Sequence, residues 1–269
     1  MAGHMQLRGR WVVVTGASSG LGRAMATVLA RDHGANLVLT ARRTERLEAL
    51  AEELKTGHGV EAACCPADLT VPADVDRLFE ASTRDRTVHA VVLNAGVTYY
   101  GRHLELEQAE FRAMLATNVT AVAHLAGLYL PYLLEKDEGG GVLFVSSLGG
   151  SVPMPFQAAY GATKAFVTHL GLDLREELRG RNVSLTVFAP GGIATEMVEK
   201  SGLSKRYPAD SPWLMPVDRC ARLAVRALIR RKAYVVPGLL NKLGALALRI
   251  LPRAVMTRMM ANAYRIPHP

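Results

Sequence analysis

The sequence predicts a doubly wound α/β fold, a parallel sheet of about seven strands covered by helices on both faces. Three observations predict it. Short apolar runs alternate with helical patterns along most of the chain. Those runs are apolar throughout, without a polar residue at every second position, which suits strands buried on both faces. The first run leads directly into a glycine-rich turn and then an alanine-rich helical stretch.

Trp11–Thr15 is the first strand, short and β-branched. Gly16, Gly20 and Gly22 follow, with Ser18, Ser19 and Leu21 between them, and a helix runs from about Arg23 to about His33. In this setting Gly16 permits the tight turn, Gly20 lets backbone approach a pyrophosphate, and Gly22 allows close helix–strand packing. The spacing, Gly-x3-Gly-x-Gly, is wider than the commonest dinucleotide fingerprint. Further strands are predicted at Asn36–Thr40, 60–65, Val88–Leu93, 141–146, 183–188 and 233–236, with the longest helices over 108–134 and 157–179. Residues 1–5 carry no pattern and are left out of the predicted fold. There is no internal repeat and no low-complexity linker. A chain of 269 residues, 49% hydrophobic and 21% charged, can bury one full core.

Chemistry concentrates where a sheet of this kind puts it, at the carboxyl ends of the strands. Tyr160 and Lys164 are four residues apart, on one face of a helix and one turn from each other. An ammonium near a phenol favours the phenolate, so the pair predicts a tyrosine of lowered pKa able to exchange a proton near neutral pH. Ser147 lies thirteen residues upstream of Tyr160, with Ser146 as its neighbouring alternative.

Thr15-Gly16-x3-Gly20-x-Gly22, Asn94-Ala95-Gly96, Asn118, Ser147, Tyr160-x3-Lys164 and Pro190-Gly191, in this order, resemble the short-chain dehydrogenase/reductase family over 7–237. Leu93 stands where many relatives carry a second asparagine. The resemblance implies a Rossmann domain that moves a hydride between a nicotinamide cofactor and a carbonyl or secondary alcohol. It makes Tyr160 the general acid, Ser147 a hydrogen-bond donor to the carbonyl oxygen, and Lys164 the group that tunes the tyrosine and holds the nicotinamide ribose. Asn118 would hold a water in the proton relay. Gly16, Ser18, Ser19, Gly20, Leu21, Asn94, Ala95 and Gly96 would line the cofactor, Asp68 and Leu69 its adenine, and Pro190, Gly191, Ile193 and Thr195 its nicotinamide end. It also implies a homodimer or homotetramer assembled through the helices after Gln108 and Gln157.

The second strand bears on the choice of cofactor. An acid near its end would bind ribose hydroxyls and repel a 2′-phosphate. The chain instead reads Thr40-Ala41-Arg42-Arg43, and guanidinium matches phosphate. The expected cofactor is NADP, with NAD less favoured. Arg42 would sit beside the 2′-phosphate, with Thr40 or Arg43 as helpers.

The segment 196–216 is the expected lid. Met197, Leu203, Trp213 and Met215 would line an apolar pocket with Val152, Met154 and Phe156, for a lipophilic ketone or aldehyde. No cluster of His and Cys has metal-ligand spacing, so no metal is expected. Three cysteines, two adjacent at Cys64 and Cys65, make no disulfide framework and point to packing in a reducing, cytoplasmic compartment. No apolar stretch approaches the length of a membrane span, and no secretory leader is evident.

Charge is uneven. From Arg219 onward there are eleven Lys and Arg and no Asp or Glu, while the remaining chain carries 21 basic residues against 24 acidic. The excess of +8 therefore lies in the tail. Leu239, Leu240, Leu243, Leu246, Ala247, Ile250 and Leu251 recur there at helical spacing, with Asn241, Lys242, Ala245 and Arg249 on another face. Pro252 interrupts them and 254–264 repeats the composition. Residues 238–269 are thus a basic amphipathic extension. Two readings stay open: peripheral contact with an anionic membrane, or a helix that caps the pocket or meets another subunit. Nucleic-acid binding fits poorly, because the cations belong to an appendage of a complete nucleotide-binding unit. For the whole chain the alternative to an enzyme is a catalytically silent NADP-binding sensor or scaffold.

Overall fold

The computed structural model describes residues 3–197, 211 and 214–265, with the side chains of 245–250 left out. Seven strands form one parallel sheet: β1 (Trp11–Thr15), β2 (Asn36–Thr40), β3 (Ala62–Cys64), β4 (Val88–Leu93), β5 (Gly141–Val145), β6 (Ser184–Phe188) and β7 (Tyr234–Val235). Their order is β3-β2-β1-β4-β5-β6-β7, so the direction of winding reverses between β1 and β4. Ligands bind at the carboxyl edge of such a reversal, where loops from the two halves diverge.

The strands alternate their side chains between two buried layers. Val12 and Val14 face one layer with Leu37, Leu39, Val92 and Leu143. Val13 faces the other with Val38, Val91, Phe144 and Val187. The first layer is closed by α1 (Gly20–His33), α2 (Thr44–His58) and α7 (Val217–Ile229). The second is closed by α3 (Pro72–Thr83), α5 (Ala121–Lys136) and α6 (Ala158–Glu177). The uniformly apolar runs in the sequence are the consequence: both faces of every central strand are dry.

Several sequence expectations shift. The third strand shrinks from 60–65 to Ala62–Cys64, because it pairs only with β2 at the sheet edge. The seventh shrinks to Tyr234–Val235 for the same reason. The helix expected over 108–134 is interrupted: α4 (Gln108–Leu115) passes through one π-helical turn, Ala116–Thr120, before α5 begins. Together 108–136 is long and apolar enough to cross a membrane, contrary to the sequence expectation, the one such helix among the described residues. Its apolar side chains are spent on the sheet, with Leu125, Tyr129 and Leu133 buried in the second layer. Residue Met5, outside the predicted fold, is buried and its N–H donates to the Ile229 carbonyl at 2.9 Å. The tail forms α8 (Leu239–Ile250) and α9 (Arg253–Tyr264), broken at Pro252 as the sequence predicts.

Candidate active site

At the carboxyl edge of the sheet a cavity of about 830 Å³ runs from the glycine turn to the tail. Its floor is set by Thr15 at the end of β1. The Thr15 hydroxyl donates to the Val92 carbonyl and accepts from the Asn94 and Ala95 amides, at 3.2, 2.8 and 3.0 Å. The Asn94 side chain donates to the Thr15 carbonyl at 2.9 Å. These bonds lock the β1 and β4 ends together beneath the glycine turn. Gly16 has φ +69°, and a Cβ there would meet the Asn94 amide at 2.9 Å. At Gly22 a Cβ would collide with the Gly16 carbonyl oxygen, so α1 starts hard against the turn. Its amino end is thereby presented to the cavity, where aligned amides favour an anion.

Arginine from the end of β2 closes this end. Arg42 is exposed and lines the cavity. Arg43 is the better held: it donates to the Ser18 hydroxyl at 3.0 Å, to the Ser19 hydroxyl at 2.8 Å, and lies 3.5 Å from a Glu196 carboxylate oxygen. Arg46 pairs with the other Glu196 oxygen at 2.9 Å, and the two guanidinium groups, Arg46 first, hold that carboxyl below its usual range. Thr40, expected as a helper, is fully buried and does not line the cavity. A strand's last residue pointing into the core is unavailable to solvent or ligand. Asp68 and Leu69 line the cavity, with one Asp68 carboxylate oxygen engaged by the Thr70 amide and hydroxyl at 3.0 and 2.8 Å.

The opposite end is lined by three of the four candidate catalytic residues, Ser147, Tyr160 and Lys164, with Asn118 buried behind them. β5 ends in two serines with opposite orientations. Ser146 is buried, its hydroxyl donating to the Lys164 carbonyl at 2.8 Å and lying 2.6 Å from the Thr168 hydroxyl. Ser147 faces the cavity, and its hydroxyl oxygen accepts from the Gly149 amide at 3.1 Å. The strand's alternation separates them: one serine secures α6, the other faces the cavity. Tyr160 and Lys164 both line the cavity from successive turns of α6. The Lys164 ammonium donates to the Val145 carbonyl at 2.9 Å and lies 5.9 Å from the Tyr160 ring centroid.

Electrostatics corrects the sequence expectation of a lowered tyrosine. Burial pushes the Tyr160 phenol up, and its hydrogen bond with Ser147 opposes this in part. Lys164 is displaced the other way: burial alone lowers it from 10.5 to about 8. In a dry site the lysine's own charge is costly, so it cannot simply donate its charge to the phenol.

Asn118 does not line the cavity; it is fully buried in the π-helical turn. Its side-chain oxygen accepts from the Val97 amide at 2.9 Å, while its amide donates to the Val97 carbonyl at 2.9 Å and the Thr163 hydroxyl at 3.0 Å. The side chain thus clamps the strand leaving β4 to the helix carrying Tyr160 and Lys164.

Among the remaining sequence candidates, Ser18, Ser19, Gly20, Leu21, Ala95, Gly96, Pro190, Gly191, Ile193 and Thr195 line the cavity, as do Val152, Met154 and Met197. Met215 does not. It packs on the first core layer and bridges to Ile193, because it follows the chain back into the sheet. Phe156 is likewise absent from the lining, its carbonyl accepting from Gly101 in a turn with φ +66°. Leu203 and Trp213 lie outside the described residues. Sequence reasoning did not single out Gln157; it left open a tail helix that caps the pocket, and the tail does line the cavity, through Leu240, Asn241, Gly244, Met260 and Tyr264, which the sequence did not name as lining residues. The leucine periodicity of the tail marks an apolar helix face but says nothing of what that face covers.

A family model for short chain dehydrogenases matches residues 10–206. The chain belongs to the short-chain dehydrogenase family. A sulfoacetaldehyde reductase of Chromohalobacter salexigens is 39% identical over 189 residues, 69% of this chain and 73% of that protein. Among solved structures, a short-chain dehydrogenase from Sphingobium yanoikuyae in complex with NADPH superposes with a TM-score of 0.79 and 29% identity, covering 91% of this chain and 97% of that one. A 7β-hydroxysteroid dehydrogenase superposes with a TM-score of 0.84 and 25% identity, covering 96% of this chain and all of that one. The chain is therefore an oxidoreductase of this family with a single seven-stranded Rossmann domain. The family match ends before α7, α8 and α9.

Proposed function

We propose that this short-chain dehydrogenase is an NADP(H)-dependent reductase of bulky, apolar ketones or aldehydes. The observation that carries the substrate class is the apolar share of the cavity lining. Val97, Val152, Met154, Met197, Leu240 and Met260 belong to it, and of the cations that line the cavity, Arg42 and Arg43 belong to the glycine-turn end and Lys164 donates to the Val145 carbonyl. A small sulfonate or carboxylate substrate would find no counter-charge there. The cofactor reading is supported by the glycine cradle that a Cβ would fill, by Arg42 and Arg43 where an acid would mark NAD, and by the NADPH complex of the Sphingobium relative.

When bound, NADPH supplies a hydride to the carbonyl carbon. The protein's part is the proton and the oxygen. Ser147 donates a hydrogen bond to the carbonyl oxygen and stabilises the charge that develops there. Tyr160, kept protonated by burial, hands its proton to the same oxygen, completing the alcohol. Lys164, near 8, is close enough to neutrality to return a proton towards the phenolate. Asn118 acts through geometry, holding the turn after β4 and α6 in register.

NADPH oxidation measured with apolar ketones of increasing size, with sulfoacetaldehyde alongside, tests this reading. The expected order is bulky apolar over small polar by a large margin in kcat/KM. A preference for sulfoacetaldehyde overturns the substrate class, and NADPH binding without turnover of any carbonyl supports the silent-binder alternative. Arg43→Ala and Arg42→Ala should each weaken NADPH by about 1.5–3 kcal/mol, the scale of a charge-assisted contact, and leave NADH nearly unchanged. Wild type preferring NADH would defeat the cofactor assignment.

A further inference from the structure

The helix α8 presents three different faces, which follow from a rotation of about 100° per residue. Asn241 turns towards the catalytic end, where a Cβ on Gly191 would come within 2.8 Å of its amide. Gly244 lines the cavity beside it, and Leu240 sits at the rim, lining the cavity while remaining 71% exposed. The third face turns away from the protein. Leu239 and Leu243, one turn apart, are 72% and 55% exposed, and Lys242 is exposed on their flank. On α9 the exposed residues include Val255 and Met259 with Arg253 and Arg258, beside Ala254, Asn262 and Ala263.

We propose that this face of α8, with the cations of the tail, docks on an anionic lipid surface and sets the cavity mouth against it. Charge decides between lipid and a second copy of the chain. A two-fold interface pairs a patch with itself, and no residue after Asp218 is acidic, so self-association would oppose lysine and arginine without a counter-charge. Anionic headgroups supply that counter-charge, while Leu239, Leu240 and Leu243 enter the boundary between headgroup and acyl chain. Because Leu240 belongs to both the docking face and the rim, an apolar molecule in the lipid would reach the cavity without crossing water. This use of the surface rests on the substrate class proposed above; the docking itself rests on α8 and the charge of the tail.

The test is co-sedimentation of the full-length protein with phosphatidylcholine vesicles, with and without phosphatidylglycerol, at low and high salt. Docking is scored by sedimentation alone, so failure of docking and failure of the substrate assignment are told apart. Wild type should bind the anionic vesicles roughly tenfold more than the neutral ones and lose most of that binding at high salt. Leu239→Ser with Leu243→Ser should abolish binding while leaving NADPH oxidation with a small soluble ketone unchanged, since neither residue lines the cavity. Lys242→Glu should weaken binding several-fold in a protein that keeps both leucines. Wild type remaining in the supernatant at low salt, or binding neutral and anionic vesicles equally, overturns the proposal. It is also overturned if size exclusion shows an assembly that the double substitution dissociates and no vesicle is bound.

Discussion

Burial lowers the Lys164 ammonium from 10.5 to about 8, so the folded protein releases a proton that the unfolded chain would keep. Below pH 8 the folded state carries the full penalty of that buried charge. Between about 8 and 10.5 the unfolded state binds more protons, and stability rises with pH through that window. The penalty is of order 3 kcal/mol, offset by about 1 kcal/mol from the bond to the Val145 carbonyl. Lys164→Met should therefore stabilise the protein at pH 7 by about 1–2 kcal/mol while removing activity, with the gain gone by pH 10.5. Urea unfolding of both proteins at pH 7 and pH 10.5 checks it; a destabilised variant at pH 7 would mean that the ammonium's bonds outweigh its burial. The phenol beside it moves the other way. With Tyr160 raised, its protonated form persists across neutral pH, as reduction requires. Tyr160→Phe should lower kcat by roughly 10²–10⁴-fold and leave NADPH affinity within a few-fold. Near-normal turnover in a folded variant would remove Tyr160 from the proton path. Spacing alone placed Tyr160 and Lys164 together; it could not weigh burial against a nearby cation, and that balance sets the direction of the shift.

Between α4 and α5 the π-helical turn shows what an element can hide. The apolar pattern over 108–134 reads as a single helix, because one wide turn displaces the periodicity by less than the breadth of an apolar face. Asn118 was legible as a functional candidate only through the family pattern, and the structure gives it a packing reason. A buried asparagine with three hydrogen bonds to Val97 and Thr163 fixes both the β4 exit and α6. Asn118→Ala would leave the half-buried Val97 amide and carbonyl without their side-chain partner. The expected loss is about 2–4 kcal/mol of stability, with a fall in kcat larger than any change in KM. An Asn118→Ala protein as stable as wild type, by thermal or urea unfolding, would show that water replaces the side chain there. The strands were read more fully than the helices, since a two-faced core demands apolar residues at every position, as in Val88–Leu93, and leaves no ambiguity of phase. The edge strands were overextended most, where β3 and β7 have one neighbour each, while β5 and β6 each lost a single residue.

At the scale of the molecule, the division is between a sheet-based unit that holds its own core and a tail that completes a cavity. Among the described residues, both core layers draw on residues up to Val235 and none beyond. The tail is attached by smaller contacts: Met256 is buried, the Tyr100 hydroxyl donates to the Tyr264 carbonyl at 2.9 Å, and Asn241 donates to the Pro237 carbonyl. Periodicity identified α8 and α9 and the charge count isolated them. Neither could show that Leu240, Met260 and Tyr264 line the cavity, because a contact between distant segments leaves no local pattern. A chain ending at Pro237 should therefore fold, melt within a few degrees of the full-length protein, and bind NADPH less than about tenfold more weakly, the loss coming from the Asn241 contact beside Gly191. Its turnover of a small ketone should survive. For a bulky apolar ketone KM should rise by roughly 10-fold or more, since each buried methylene that loses its cover forfeits about 0.8 kcal/mol. The comparison of KM for small and bulky substrates in the two chains isolates the cover supplied by the tail from Ser147, Tyr160 and Lys164, which are untouched. Equal losses on both substrates would mean that the tail supports the catalytic end itself, and an unfolded product would make it part of the core.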